Sequence, residues 1–97
     1  MTEEEMIEVF KALSVDSRLQ ILKLIRHGEL CVNAITQRLD ITQPAVSQHL
    51  SVLKQAGLVR SDRYGSIVHY SIDAKRLKDF KRSVRKYLGD EFILLEE

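Results

Sequence analysis

The side chains best suited to chemistry in this sequence lie between Ile41 and Val59. Pro44, Ser47, Gln48, Ser51 and Gln55 fall on one side of a helical count, and Val46, Leu50 and Leu53 recur at i, i+4 and i+7 on the other. Hydroxyl and amide side chains bury little apolar area, but their donors and acceptors match the edges of bases. Thr42 is a good N-cap for such a helix. Pro44 falls in its first turn, where a missing N–H costs nothing. Gly57 stands where a left-handed residue would end it. The other reactive side chains are dispersed. Cys31 is the single cysteine, and His27, His49 and His69 share no ligand spacing.

The rest of the composition bounds what this helix can belong to. Ninety-seven residues, 44% apolar and 30% charged, suit one small folded domain. A single cysteine excludes an internal disulfide, and no apolar run approaches a membrane span. The acidic start MTEEEMIEV does not read as a secretory signal, so a cytoplasmic protein is expected. The net charge of +1 conceals segregation. Between Lys54 and Lys86, ten basic residues against three acids leave +7, whereas the balancing acids lie at the two ends. That pattern suggests one basic face with an acidic rim.

The flanking elements follow from periodicity and caps. Thr2 with Glu5 forms a capping box for a helix over Glu3–Leu13, with Met6, Ile7, Val9, Phe10 and Leu13 as its apolar flank. A second helix starts at Ser14 or Asp16 and stops by Gly28. Its Leu19, Ile21, Leu22, Leu24 and Ile25 are apolar almost all round, which predicts a central core position. A third helix runs from about Val32 to Leu39, and Asp40-Ile41-Thr42 turns into the polar-faced helix, the helix-turn-helix pattern. Residues 58–63 and 66–72 then read as two strands around Tyr64-Gly65, a wing with a basic tip suited to phosphate or the minor groove. A last helix opens at Asp73 or Ala74, with a stripe of Leu77, Phe80, Val84, Tyr87 and Leu88 opposite a basic face. Gly89 bends or ends it. Phe92, Ile93, Leu94 and Leu95 are too apolar for a loose tail and call for cover by a neighbouring subunit packed with the first helix.

These motifs resemble the ArsR/SmtB family of small bacterial winged-helix regulators over nearly the whole chain. The resemblance is carried by Asp16-Ser17-Arg18 with Ile21-Leu22, by Gly28-Glu29-Leu30-Cys31-Val32, and by Gln43 through Leu50. It continues through Leu53, Ala56-Gly57-Leu58-Val59, Arg63-Tyr64-Gly65 and Tyr70. It implies a mainly α fold with a small β-hairpin: a single winged helix-turn-helix domain over 1–97, in which four helices precede two strands and a closing helix. The helix-turn-helix spans about 31–57, the wing about 58–72, and the dimerisation helices about 3–13 and 74–95. It also implies a homodimeric repressor on an inverted-repeat double-stranded DNA operator, released by an effector. On this resemblance Gln43, Ser47 and Gln48 reach bases, and Thr42 and Pro44 approach the backbone. Lys54, Arg60, Arg63 and Tyr64 are the other expected backbone contacts. Met6, Phe10, Phe80, Val84, Tyr87 and Phe92 are expected at the dimer interface. His49 lies off the reading face and reads as half-buried and structural.

The sensor position departs from the family pattern. Metal-sensing members resembling this chain carry Cys-x-Cys at the start of the third helix, and here the run is Cys31-Val32-Asn33. One thiolate makes a poor zinc or arsenite site, and the last helix has Asp79 but no histidine for the family's other site. No metal and no cofactor are expected, and the effector is left open. Cys31 reads as a small core residue, with a single-thiol redox sensor as the alternative. Enzyme readings lack parts: there is no Gly-rich phosphate loop, nucleophile elbow or carboxylate pair with an obvious cleft. The remaining rival is a winged-helix module that binds a partner protein.

Overall fold

The computed structural model describes residues 1–89. Phe92, and the part of the closing segment beyond Gly89, lie outside the described residues. The chain runs α1 (Glu3–Leu13), α2 (Asp16–Ile25), β1 (Leu30–Cys31), α3 (Val32–Arg38), α4 (Gln43–Gln55), β2 (Val59–Tyr64), β3 (Ile67–Ile72) and α5 (Ala74–Leu88). This is the winged helix-turn-helix order.

Local chemistry sets most of the boundaries. At α1, the Glu5 N–H donates to Thr2 Oγ1 at 3.1 Å and the Thr2 N–H donates to Glu5 Oε1 at 2.9 Å, closing the capping box. At α4, Thr42 Oγ1 accepts from the Ala45 N–H at 3.3 Å. At α5, Asp73 Oδ1 accepts from the Arg76 N–H at 3.0 Å, and Gly89 ends the helix with φ +86°.

The sheet differs from the expected hairpin in two ways. It has three strands in the order β1-β3-β2, because Leu30 and Cys31 pair antiparallel with Tyr70 and His69. Two residues carry no detectable period, so only tertiary pairing reveals this strand. The hairpin also closes one residue later than Tyr64-Gly65. Tyr64 pairs with Ile67 and is the last residue of β2, leaving Gly65-Ser66 as the turn. Gly65 takes φ +65°, which a two-residue hairpin demands at its first turn position and glycine adopts at least cost.

The core is organised around α4, which packs against α1, α2, α3 and β2. Val46, Leu50 and Leu53 are fully buried, and they meet Val9, Ile21, Ile25, Ile35 and Leu58. The expectation that α2 is central all round is corrected. Ile21 and Ile25 are buried, Leu22 and Leu24 only half-buried, and Leu19 is 45% exposed. α1, α4 and β3 pack against α2, and its Leu19 side stays open beside the groove toward α5.

Arg76 joins three helices. Its Nη1 donates to Glu5 Oε2 at 3.0 Å and its Nε to the Ala56 carbonyl, at the C-terminal end of α4, at 3.3 Å. The Thr2 backbone hydrogen bond, followed by Arg76, holds the Glu5 carboxyl down at about 2 from an ordinary 4.5. Gly57 follows α4 with φ +81°, and a Cβ there would stand 2.8 Å from Arg76 Nε. Gly57→Ala should therefore destabilise the fold by about 1–2 kcal/mol through the left-handed backbone, plus the cost of displacing Arg76. Urea unfolding of Gly57→Ala, Arg76→Ala and the double variant should show less than additive losses. Full additivity would remove Arg76 from the account.

Candidate nucleic-acid interface

Every expected base-reading residue is exposed on α4. Gln43, Ser47, Ser51 and Lys54 follow one another up a single side of the helix, with Gln48 beside them. The cause is the opposite face: Val46, Leu50 and Leu53 are consumed by the core, so the positions between them must point outward. Thr42 and Pro44 sit exposed at the N-terminal end, where the helix dipole and unpaired N–H groups favour an anion.

The wing is attached to this helix by a side-chain contact. Lys54 Nζ donates to Ser61 Oγ at 2.6 Å, linking the last turn of α4 to β2. Strand alternation then puts Arg63 on the same hairpin face as Ser61 and the buried Val59. Arg60 and Tyr64 alternate to the other face. The expected backbone set is thus divided, with Lys54 and Arg63 on the α4 side and Arg60 and Tyr64 away from it.

Tyr64 is also engaged elsewhere. Its hydroxyl donates to Glu29 Oε2 at 3.4 Å, and its ring meets His69 edge-on at 5.1 Å between centroids. The Glu29 carboxylate, with lesser help from desolvation, pushes the Tyr64 phenol above its usual range, so it stays protonated and able to donate. His69 Nδ1 is shielded from solvent and faces Glu29 Oε1 at 3.5 Å, beyond good hydrogen-bond geometry. This cluster on the sheet was not legible in the sequence, because Glu29, Tyr64 and His69 meet only once β1 pairs with β3. Cys31 lies opposite His69 in the register and is half-buried. Among the described residues, no group of three or more His, Cys, Asp or Glu side chains is placed to hold a metal ion. No helix among them is long and apolar enough to cross a membrane.

His49 is half-buried on the inner flank of α4, and its partner fixes its role. Arg18 Nε donates to His49 Nδ1 at 3.2 Å, while Arg18 Nη1 donates to the Ala12 carbonyl at the end of α1 at 3.3 Å. Burial, then the Arg18 charge, holds the imidazole below its ordinary 6.5, so the neutral ring is the acceptor. This supports the structural reading of His49.

The proposed dimer contacts divide in the same way. Met6, Phe80 and Val84 are buried in the chain's own core. The core needs them because α1 and α5 bury these side chains against each other's flank, with Phe10 meeting Phe80 edge-on at 5.0 Å. Phe10 at 41% and Tyr87 at 46% exposure remain outward, joined by Ile7 and Leu88.

A depressed histidine pKa favours the folded state at neutral pH. Its contribution is present above 6.5 and is lost as the pH falls through the lower folded value. His49→Asn should therefore shrink the difference in urea midpoint between about pH 7.5 and about pH 5.5. An unchanged difference would show that another group carries it.

Comparison with known proteins places this geometry among regulators. Residues 16–61 match the family described as bacterial regulatory protein, arsR family. An uncharacterized HTH-type transcriptional regulator of Bacillus subtilis, YbzH, is 37% identical, the match covering 81% of this chain and 97% of the relative. The transcriptional repressor SdpR of the same organism is 36% identical over 76% of this chain and 82% of its own. A homodimeric winged helix-turn-helix DNA-binding domain from Mycobacterium bovis superposes with a TM-score of 0.73. It is 32% identical, and the match covers 93% of this chain and 82% of that one.

Proposed function

The chain belongs to the arsR family of bacterial regulatory proteins, and we propose that two copies of it bind one inverted-repeat operator and repress the adjacent promoter. Family membership makes it a winged helix-turn-helix transcriptional regulator. The observation that carries the finer reading is the outward row of α4. Gln43, Ser47 and Gln48 are exposed beside a capped helix start, on a helix whose other face is locked in the core. Gln48 suits a bidentate contact to adenine, and Ser47 suits either partner of a pair. Lys54 and Arg63 contact phosphate on the α4 side, with Arg60 contributing from the opposite face of the wing. Tyr64 serves mainly to brace the wing on Glu29.

The dimer reading rests on the exposed face of Ile7, Phe10, Tyr87 and Leu88, formed by α1 and the last turns of α5. A symmetric pairing of that patch would bury it and set two α4 helices for two half-sites. The homodimeric relative supports it. Asn33 in place of the family's second cysteine supports an effector other than a metal at that position. Operation in the cytoplasm, where DNA is reached, accords with this role. A protein-binding module finds less support, because the outward face of α4 offers no aromatic anchor.

Gln48→Ala and Ser47→Ala should each lose about 1–3 kcal/mol of preference for the operator over random duplex while leaving random binding nearly intact. Arg63→Ala should weaken both and lower the slope of log affinity against log salt by about one per contact. Titration of labelled duplexes across salt concentrations reads all three. A salt slope near zero for the unaltered protein would sink the DNA reading. In sedimentation at micromolar concentration, Phe10→Glu should leave an 11.2 kDa species where the unaltered chain is twice as heavy. Finding the unaltered chain as a monomer would overturn the dimer.

A further inference from the structure

A groove lies between α2, β3 and the first half of α5. It encloses about 380 Å³, within the roughly 300–1,000 Å³ of small-molecule sites. Leu19, Leu22, Leu58, Ile72 and Leu77 form its floor, and Lys23, Arg26 and Lys81 stand at its mouth. A second lobe of about 540 Å³ shares Arg26, Ile72, Leu77 and Lys81 and adds Lys78 and Glu29. The Glu29 carboxylate is turned toward His69 and Tyr64. Among the described residues, none of Lys23, Arg26, Lys78 and Lys81 takes part in a salt bridge. None of the α4 reading residues lines either lobe.

We propose that this groove binds a small apolar carboxylate, an aliphatic or aryl chain ending in one anionic head. The floor is aliphatic and would leave any polar group on the buried chain unpaired, so the occupant's body must be hydrocarbon. The cations gather at the mouth on two different helices, so the occupant's head must be anionic and must lie there. The exposed Leu19 and half-covered Leu22 and Leu77 are apolar surface that such a chain would remove from water. The face is separate from the apolar patch assigned to the second copy, which uses the later turns of α5.

The floor reaches the recognition helix through Leu58. Its N–H donates to the Leu53 carbonyl at 3.0 Å, and its carbonyl accepts from the N–H of Asp73, the cap of α5, at 2.8 Å. A ligand wedged between α2 and α5 therefore bears on the joint that sets α4 against α5. That this changes operator affinity rests on the function proposed above, whereas the binding itself does not.

Isothermal titration of the full chain without DNA tests the binding, with sodium decanoate, decanol and decyltrimethylammonium as probes. Decanoate should bind saturably, decanol at least about tenfold more weakly, and the cationic amphiphile not at all. Lys23→Glu/Lys81→Glu should weaken decanoate at least about tenfold. Added salt should weaken it for the unaltered protein, a measurement that does not depend on the variant folding. Equal affinity for decanol and decanoate, no saturation, or indifference to salt would each overturn the site. If Leu19→Glu turned a dimer into a monomer in sedimentation, the groove would belong to a second copy and the proposal would fall. A failed titration leaves the DNA reading untouched, and the salt titration on duplex DNA judges that reading separately.

Discussion

The complete burial of one side of α4 is the constraint on which the rest of the molecule depends. Val46, Leu50 and Leu53 are each worth about 1.5–3 kcal/mol when taken from water, and nothing else in a domain of this size could replace them. With that stripe committed to α1, α2, α3 and β2, the rotation of α4 about its axis has no freedom left. Gln43, Ser47 and Gln48 then face outward because the helical period requires it. This outward polar face is in this sense a by-product of packing: the core decides its direction, and the side chains decide its chemistry.

Two arginines then fix the position of α4 along its length. Arg18 reaches from α2 to His49 in its middle, also holding the end of α1. Arg76 reaches from α5 to the Ala56 carbonyl at its end and to Glu5 at the start of α1. Both are only partly buried, so each keeps some water contact and avoids the heavy desolvation cost of a fully enclosed charge. Because α1 and α5 carry the exposed apolar face, Arg76 ties the orientation of α4 to the elements offered for pairing. A movement of α5 relative to α1 would be felt at Ala56, and through Gly57 and Leu58 at the root of the wing.

The wing is held on two sides. Lys54 binds Ser61 from α4, and Glu29 binds Tyr64 from the segment ahead of β1. A two-stranded ribbon alone is marginal in water, and the third strand gives β3 a partner on each edge. That short strand also brings Cys31 opposite His69, which Glu29 faces beside the groove under α5.

By itself the sequence determined the helices and the polar outward face of α4, since both are set by local chemistry. Thr2 with Glu5, Thr42 with Ala45, and Asp73 with Arg76 mark their helix starts through neighbours three residues away. The stripe at 46, 50 and 53 names its own buried face. Only the tertiary structure decided the rest. β1 has two residues and no period, so it exists because Tyr70 and His69 are there to pair with it. An apolar stripe does not say what covers it, and it is the packing of α1 on α5 that buries Met6, Phe80 and Val84 within the chain. Arg18–His49 spans 31 residues and Arg76–Glu5 spans 71, separations at which spacing carries no signal and only the packed core brings the groups together.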